Sequence, residues 1–216
     1  MHNSIQNLIN LKKNIKSQVE FYQRIKIIAV SKTFPISDIE PLVSYGHQDF
    51  GENKVQEAIE KWGDIKIQNK NINLHLIGRL QTNKVKHAIK IFDYIHSLDS
   101  IKLAKKIADE ETKQSKKVKI FIQVNLANEE QKSGVQINKL DELYKYSLSL
   151  DLNIIGLMCI PPESEDPDKY FKRLKLLNDQ YSLKELSMGM SADYMVAIRN
   201  NATFIRVGSN IFGKRN

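Results

Sequence analysis

Residues 25–33 read IKIIAVSKT, a short apolar run of strand composition that is followed by a lysine. Because side chains alternate between the two faces of a strand, Ile28, Val30 and Lys32 share one face, and the amine emerges where the strand ends. Burial against an apolar interior lowers the pKa of a lysine and increases the fraction of free amine that can attack a carbonyl. Lys32 is therefore a candidate Schiff-base nucleophile, although a single lysine in such a place more often extends into water.

The rest of the chain repeats this strand pattern and alternates it with segments of helical periodicity. The strand-like runs fall at residues 25–33, 47–51, 73–78, 94–98, 118–125, 154–160, 186–190 and 203–207. Eight such repeats predict an α/β protein, a single (β/α)8 TIM barrel that spans residues 1–216 as one domain, with an extra amino-terminal helix over residues 3–22. An open doubly wound sheet is the alternative, but no G-x-G-x-x-G follows the first strand.

Two of the helices have recognisable starting signals. Ser37 and Glu40 form an S-x-x-E capping box, which predicts that a helix begins there. Asp166 followed by Pro167 is typical of an N-cap residue and the first helical residue.

The composition favours a cytoplasmic protein without disulfides. Of 216 residues, 41% are hydrophobic, and no apolar run approaches the ~20 residues that span a bilayer. The first ten residues lack the pattern of a secretion signal. Cys159 is the only cysteine, and we interpret it as a small buried hydrophobe. The net charge of +8 comes mostly from lysines spread along helical segments, which indicates a solvated surface rather than a nucleic-acid site.

Polar residues follow the first, second, seventh and eighth strands. In a (β/α)8 barrel the reacting groups lie at the carboxyl ends of the strands, and phosphate commonly binds at the loops after strands seven and eight. Ser191 follows the seventh strand, and Gly208 and Ser209 follow the eighth, so hydroxyls and backbone amides make a candidate phosphate site. Lys32 and Asn53 lie at the ends of the first two strands. Gly-Ser pairs are also ordinary turn material, so the prediction depends on their place in the barrel.

Arg206 and His75 are further candidates inside the barrel. Arg206 shares a strand face with Phe204 and Gly208, which aims its guanidinium toward the barrel mouth. It could pair with a carboxylate for structural reasons, or face a heterocyclic nitrogen and keep that nitrogen unprotonated. For His75 we favour a hydrogen-bonded core histidine over a ring-stacking residue. The sequence has no H-E-x-x-H and no cysteine pair, so we predict no metal site.

Ordered motifs along the chain carry a family resemblance. They are AVSKT at 29–33, FGENKVQE at 50–57, HLIG at 75–78 with LQ at 80–81 and NK at 83–84, VN at 124–125, KSG at 132–134, GLM at 156–158, SMGMSAD at 187–193 and RVGS at 206–209 through FG at 212–213. This set resembles the pyridoxal phosphate homeostasis protein family, from the first strand to the end of the chain. The chain departs from the pattern at residues 200–202, where Asn-Asn-Ala replaces an expected glycine turn; asparagine tolerates the left-handed conformation.

The resemblance implies a barrel like the amino-terminal domain of alanine racemase, with pyridoxal 5′-phosphate bound as an internal aldimine on Lys32. It further implies that Arg206 faces the pyridine nitrogen. Ser191, Gly208 and Ser209 would hold the phosphate, and Asn53, His75 and Met190 would line the ring.

The resemblance leaves open whether the protein is an enzyme. A racemase on this barrel needs acid/base groups on both faces of the ring, and in the resembling enzyme the second group comes from another domain. Lys32 is the only evident proton carrier in this chain. We therefore expect a non-enzymatic binding protein that acts in vitamin B6 homeostasis, holds pyridoxal phosphate and buffers or delivers it. We expect transient contacts with apoenzymes, no nucleic-acid or membrane partner, and a monomer or weak dimer.

Three alternatives remain open. The first is a low-activity pyridoxal-phosphate racemase or a related amino-acid enzyme. The second is a Schiff-base aldolase that uses Lys32 without a cofactor, for which the phosphate site would also be suited. The third is nucleic-acid binding through the basic surface.

Overall fold

The computed structural model describes residues 1–127, 129 and 133–213. The strands are β1 (Lys26–Val30), β2 (Asp49–Glu52), β3 (Asn73–Leu76), β4 (Tyr94–Leu98), β5 (Lys119–Asn125), β6 (Val135–Gln136), β7 (Ile154–Met158), β8 (Glu185–Met190) and β9 (Phe204–Val207). The helices are α1 (Asn3–Gln18), α2 (Ile36–Ser44), α3 (Val55–Gln68), α4 (Val85–Ile91), α5 (Ile101–Gln114), α6 (Ile137–Ser149), α7 (Pro167–Gln180), α8 (Tyr194–Arg199) and α9 (Ser209–Phe212).

Eight parallel strands close into a barrel. Their order is β4-β3-β2-β1-β9-β8-β7-β5, and an additional pairing of β4 with β5 completes the ring. The two-residue strand β6 pairs with the end of β5. The predicted (β/α)8 barrel and its extra amino-terminal helix, α1, are thus confirmed. Because the strands are parallel, all their carboxyl ends meet at one mouth of the barrel.

The barrel strands separate two apolar regions. Ile27 and Ala29 pack with helix residues in the large core between the sheet and the helices. Ile28 instead belongs to a small cluster inside the barrel, together with Tyr94, Phe121, Met158 and Phe204. This alternation along β1 is what the strand period dictates, and it assigns Ile28 to the inner face as predicted.

The outer helices cover the apolar outer face of the barrel, and α1 packs on α9 and α2. Asn7 in α1 donates a hydrogen bond from Nδ2 to the carbonyl oxygen of Ile211, at 3.0 Å. Within the described parts of the chain, each helix is too short or too polar to span a lipid bilayer.

Of the two predicted helix starts, one is correct. The carboxylate of Asp166 accepts a hydrogen bond from the Asp168 amide, and Pro167 begins α7, as predicted. The capping box at Ser37 is wrong, because α2 already begins at Ile36 with Pro35 at the N-cap and no side-chain cap. The fixed φ of a proline, here −69°, lets the chain enter the helix without a serine cap.

The remaining local predictions concern a cysteine and a turn. Cys159 is buried, and burial raises the pKa of its thiol to about 12, as expected of a small core residue. Asn201 has a φ of 66°, so asparagine adopts the left-handed conformation in the turn before β9.

Among the described residues, no cluster of histidine, cysteine and carboxylate side chains could hold a metal ion. Lys132 of the KSG motif lies outside the described residues.

Candidate functional site

The predicted site residues gather mainly at the carboxyl-terminal mouth of the barrel. Strand β1 lies between β2 and β9, and β9 lies between β1 and β8. The ends of these four strands are therefore adjacent. They carry Lys32 after β1, Asn53 after β2, Met190 and Ser191 at the end of β8, and Arg206, Gly208 and Ser209 at the end of β9. A side chain added at Gly208 would lie 3.5 Å from Val30, which shows how closely β9 follows β1 here.

Lys32 is half-buried in a tight turn two residues after β1. The next residue, Thr33, has a φ of 67°, a left-handed conformation that costs a β-branched residue about 1 kcal/mol or more. Two hydrogen bonds hold this turn: the Thr33 amide donates to Glu57 Oε1 at 2.6 Å, and the Phe34 amide donates to the Ser31 carbonyl at 3.1 Å. The backbone around Lys32 is thus fixed from both sides.

A buried carboxylate, Glu52 at the end of β2, stabilises the same turn through hydrogen bonds. Its Oε1 accepts hydrogen bonds from Ser31 Oγ at 2.7 Å, from Trp62 Nε1 at 3.0 Å and from Lys61 Nζ at 3.0 Å. Lys61 also donates to the Ser31 carbonyl at 2.9 Å and pairs with Glu57 at 2.9 Å. Burial raises the pKa of Glu52, although these donors oppose the effect. This network links helix α3 to the residue that precedes Lys32.

The role of this network is not evident from the sequence alone. Glu52 and Glu57 lie in the matched motif at residues 50–57, but Lys61 and Trp62 lie outside it. The available signal was an acidic residue at the end of a buried strand, followed on the next helix by a lysine and a tryptophan. A buried carboxylate needs donors, and these residues supply them.

The loops after β8 and β9 bring hydroxyls and amides together. Ser191 Oγ accepts a hydrogen bond from the Gly208 amide at 3.2 Å and retains its own proton for donation. The Ser209 hydroxyl is exposed at the start of α9. Gly189 has a φ of 92°, and a side chain there would lie 2.6 Å from Ala197 of α8. These contacts make a compact, donor-rich surface that suits an anion.

Arg206 is buried inside the barrel, with 4% of its surface exposed. Its Nη1 donates to Ser187 Oγ at 2.8 Å and its Nη2 donates to the Cys159 carbonyl at 3.0 Å. Burial lowers the pKa of the guanidinium. No carboxylate of the described residues forms a salt bridge with it. The structural ion pair considered from the sequence is therefore absent from the described part of the chain, and neutral acceptors hold the cation.

His75 does not lie at this mouth. It is fully buried inside the barrel, where it stacks on Tyr94 with ring centroids 4.2 Å apart. Its Nδ1 lies 3.0 Å from His96 Nε2, and its Nε2 lies 3.1 Å from Asp49 Oδ1. It is thus the hydrogen-bonded core histidine that the residues favoured, and it has no surface with which to line a bound ring.

The position of Asn53 depends on Gly78. A side chain added at Gly78 would lie 2.3 Å from the carbonyl oxygen of Asn53, a backbone atom that cannot swing away. The glycine of the HLIG motif therefore lets the loop after β3 approach the loop after β2.

Replacing Gly78 with alanine is expected to reduce the free energy of unfolding by about 1–3 kcal/mol, because the added methyl group must push the Asn53 backbone aside. Urea unfolding followed by circular dichroism measures the change. The matched control is Gly63→Ala in α3, where nothing lies within 4 Å of the added carbon. That variant should gain about 0.5–1 kcal/mol from the higher helix propensity of alanine. Equal midpoints for Gly78→Ala and the wild type would contradict the packing argument.

Comparisons with known proteins identify relatives over nearly the whole chain. The family described as "Alanine racemase, N-terminal domain" matches residues 6–216. The pyridoxal phosphate homeostasis protein of Aquifex aeolicus is 40% identical over 200 residues, which cover 88% of this chain and 87% of that protein. The protein of the same name from Escherichia coli K12 is 35% identical over 203 residues, with 89% and 87% covered.

Solved structures give the same relationship. The structure of PipY from Synechococcus elongatus PCC7942 with pyridoxal phosphate bound has a TM-score of 0.87 and 33% identity, and covers 97% of this chain and 100% of that chain. An alanine racemase from Clostridium difficile 630 has a TM-score of 0.73 at 16% identity, and covers 99% of this chain and 57% of that chain. This second likeness is one of fold.

Proposed function

The chain belongs to the pyridoxal phosphate homeostasis protein family, and from this premise we propose that it binds pyridoxal 5′-phosphate at the carboxyl-terminal mouth of its barrel. The observation that carries the proposal is the juxtaposition of three chemical groups on neighbouring strands. An amine follows β1, a buried guanidinium lies in β9, and serine hydroxyls follow β8 and β9. The cofactor has an aldehyde, a ring nitrogen and a phosphate, and each group matches one of these.

Each residue has a proposed role. Lys32 forms a Schiff base with the aldehyde. Glu57 and the network around Glu52 fix the turn that positions its amine. Arg206 faces the ring nitrogen, for which the described hydrogen bonds leave three of its five N–H groups. Ser191, Ser209 and the Gly208 amide hold the phosphate. Asn53 and Met190 line the ring, and His75 acts from the core without touching it.

These residues favour holding the cofactor over using it in catalysis. When bound, pyridoxal phosphate supplies an electrophilic aldehyde and a ring that acts as an electron sink. A guanidinium stays charged and does not give up a proton to the ring nitrogen, so Arg206 keeps that sink weak. Of the proposed contact residues, Lys32 alone offers a group for proton transfer at neutral pH. Racemisation needs acid/base groups on both faces of the ring.

We therefore propose a single-domain protein of the cytoplasm that buffers pyridoxal phosphate and delivers it to apoenzymes, without efficient catalysis. In the free state the protein is a monomer or weak dimer, and its encounters with apoenzymes are transient. Neither nucleic acid nor membrane belongs to this function.

The test is a transfer experiment with an exchange experiment beside it. Protein loaded with pyridoxal phosphate is mixed with the apo form of an aminotransferase, and recovery of aminotransferase activity is followed. We expect reactivation as complete as with an equal amount of free cofactor. In deuterated buffer with L-alanine, we expect no exchange of the α-proton beyond that caused by free cofactor.

Two outcomes would overturn parts of this proposal. Failure to reactivate the apoenzyme would contradict delivery. Rapid α-proton exchange with formation of D-alanine, lost in Lys32→Ala, would identify an amino-acid racemase instead.

A further inference from the structure

A continuous row of hydrogen bonds crosses the inside of the barrel from Arg206 to a carboxylate at the opposite mouth. Arg206 Nη1 lies 2.8 Å from Ser187 Oγ, which lies 2.8 Å from His96 Nδ1. His96 Nε2 then lies 3.0 Å from His75 Nδ1, and His75 Nε2 lies 3.1 Å from Asp49 Oδ1. Ser187, His96 and His75 are fully buried. Below, these residues are called the interior chain.

The ionised carboxylate of Asp49, with both histidines neutral, determines the direction of every hydrogen bond in the interior chain. Asp49 only accepts, so His75 carries its proton on Nε2, and its Nδ1 accepts from His96 Nε2. His96 Nδ1 then lacks a proton and accepts from the Ser187 hydroxyl, which itself accepts from Arg206 because a guanidinium only donates. All four hydrogen bonds point from the cation to the anion.

The pKa shifts of the residues in the interior chain agree with this assignment. Burial lowers the pKa of His75, and Asp49 opposes the effect. Burial, followed by His75 and Arg206, lowers the pKa of His96 well below its usual value, so both rings are neutral at pH 7. Burial would raise the pKa of Asp49, but the hydrogen bond from His75 and the neighbouring His75, Lys26 and His47 together outweigh this, and the pKa is lowered. Asp49 is thus the anion at the end of the interior chain. Asp193 acts on Arg206 through its charge, without a salt bridge among the described residues.

We propose that Asp49, His75, His96 and Ser187 are positioning residues that hold the Arg206 guanidinium in the orientation with which it faces bound pyridoxal phosphate. The inference rests on the proposed function and deepens it. Hydrogen bonds in a row polarise one another in a medium of low dielectric constant. The charge of Asp49 therefore makes each successive acceptor stronger, and Ser187 holds Arg206 more firmly.

Asp49, at the amino-terminal end of the interior chain, can be substituted without disturbing the apolar core. The Asp49 side chain is 16% exposed, and it lines a cavity of about 420 Å³ at the amino-terminal mouth. Asn73 Nδ2 donates to the same oxygen at 3.1 Å. In Asp49→Asn the amide oxygen can still accept both hydrogen bonds, so the substitution removes the charge and keeps the geometry.

Glu185 provides a matched control at the same mouth. It begins β8 and lines a neighbouring cavity with Lys26 and Tyr94. Burial would lower the pKa of Lys26, but Tyr94, Asp49 and Glu185 outweigh this effect and the pKa is raised. Asp49 and Glu185 thus act on the same lysine, while Asp49 alone belongs to the interior chain. Glu185→Gln makes the same change of charge without altering a residue of the interior chain.

The first experiment uses protein without cofactor and labelled with 15N-histidine. Nitrogen chemical shifts and long-range proton–nitrogen correlations distinguish the two neutral tautomers and the charged ring. We expect His75 and His96 to be neutral with the proton on Nε2 at pH 7. A proton on Nδ1 of either ring, or a charged ring, would overturn the interior chain as drawn.

The second experiment measures release of pyridoxal phosphate after dilution, together with the absorption maximum of the bound cofactor. Asp49→Asn should release the cofactor about fivefold faster than the wild type, the low end of couplings between separate sites. Ser187→Ala, which removes the direct acceptor, should release it faster still. Both variants should shift the absorption maximum, which a purely structural defect would leave in place. Glu185→Gln should match the wild type.

The outcomes separate this inference from the proposed function. A wild type that binds no pyridoxal phosphate would overturn the proposed function. The histidine tautomers would still decide whether the hydrogen bonds of the interior chain are present. A wild type that binds the cofactor, with wild-type release and spectrum in both Asp49→Asn and Ser187→Ala, would overturn the inference alone. Equal effects of Asp49→Asn and Glu185→Gln would also overturn it, because the charge at the mouth rather than the chain would then be responsible.

Discussion

Replacing Lys32 with alanine is expected to abolish the near-visible absorption band that pyridoxal phosphate gives with the wild type. This imine band is distinct from the band of the free aldehyde, and the Lys32 amine is the group that the turn after β1 presents at the barrel mouth. Without the covalent bond, the phosphate and ring contacts alone must hold the cofactor. Cofactor retained through gel filtration should then fall to the level of a protein that does not bind it.

The fold should survive this substitution. Lys32 is half-buried and lies in a turn whose hydrogen bonds are made by its neighbours Ser31, Thr33 and Phe34. The free energy of unfolding should therefore change by no more than the ~0.5 kcal/mol typical of surface substitutions. Lys54→Ala is the matched control, because Lys54 is an exposed lysine that follows β2 at the same mouth. An undiminished band in Lys32→Ala, or equal loss in both variants, would remove Lys32 as the anchor.

Replacing Glu52 with alanine is expected to cause the largest loss of stability among the substitutions considered. Glu52 is fully buried and accepts hydrogen bonds from Ser31, Trp62 and Lys61. The substitution removes the shared acceptor of these donors and creates a cavity, while Lys61 keeps Glu57 and the Ser31 carbonyl. Breaking a buried ion pair by removing one partner costs about 3–5 kcal/mol. For a chain of this size, that corresponds to a fall in melting temperature of about 10 °C.

Differential scanning calorimetry measures this change, and Glu60→Ala is the control. Glu60 lies on the same helix, α3, but is exposed and contacts only Gln56 among the described hydrogen bonds. It should change the free energy of unfolding by no more than about 0.5 kcal/mol. A melting temperature of Glu52→Ala within 2–3 °C of the wild type, roughly 1 kcal/mol, would contradict the supporting role of this network.

The Glu52→Gln variant adds a dependence on pH. Burial raises the folded-state pKa of Glu52 above its ordinary 4.5. An acid with a raised folded-state pKa contributes most to stability below its unfolded pKa, and that contribution is lost as the pH rises through the folded pKa. Glutamine does not titrate. The stability advantage of the wild type over Glu52→Gln should therefore shrink as the pH rises above 4.5, as measured by urea unfolding at several pH values.

The barrel could be predicted because its information is local. Alternating side chains define the two faces of a strand, and the chain repeats strand and helix patterns eight times. The faces assigned to Ile28 and Arg206 agree with the structure, since Ile28 packs in the inner cluster and Arg206 reaches Ser187 across the barrel interior.

Depth along the barrel axis could not be predicted in the same way. His75 is the core histidine that the residues favour, and it lies deep in the barrel, where both ring nitrogens are within hydrogen-bond distance of His96 and Asp49. Strand period gives the side of the sheet and not the layer within the barrel. Which residues share a layer depends on the stagger between strands, which is a property of the closed sheet.

The partners of the site residues were equally beyond local reasoning. Ser187 and Cys159 hold Arg206 from β8 and from the end of β7. Lys61 and Trp62 reach Glu52 from a helix. Such contacts join residues that are distant in the sequence or lie on different elements, and neither polarity nor periodicity specifies them. The left-handed conformation of Thr33 is likewise not specified by the local sequence, and the hydrogen bond from its amide to Glu57 stabilises it.

Borohydride trapping decides whether Lys32 holds pyridoxal phosphate as a Schiff base. The wild type is saturated with the cofactor, reduced with borohydride to convert the imine into a stable amine, digested and mapped by mass spectrometry. We expect one phosphopyridoxyl group per chain, on the peptide that contains Lys32. Modification concentrated at another lysine, or spread over many lysines without preference for Lys32, would contradict it.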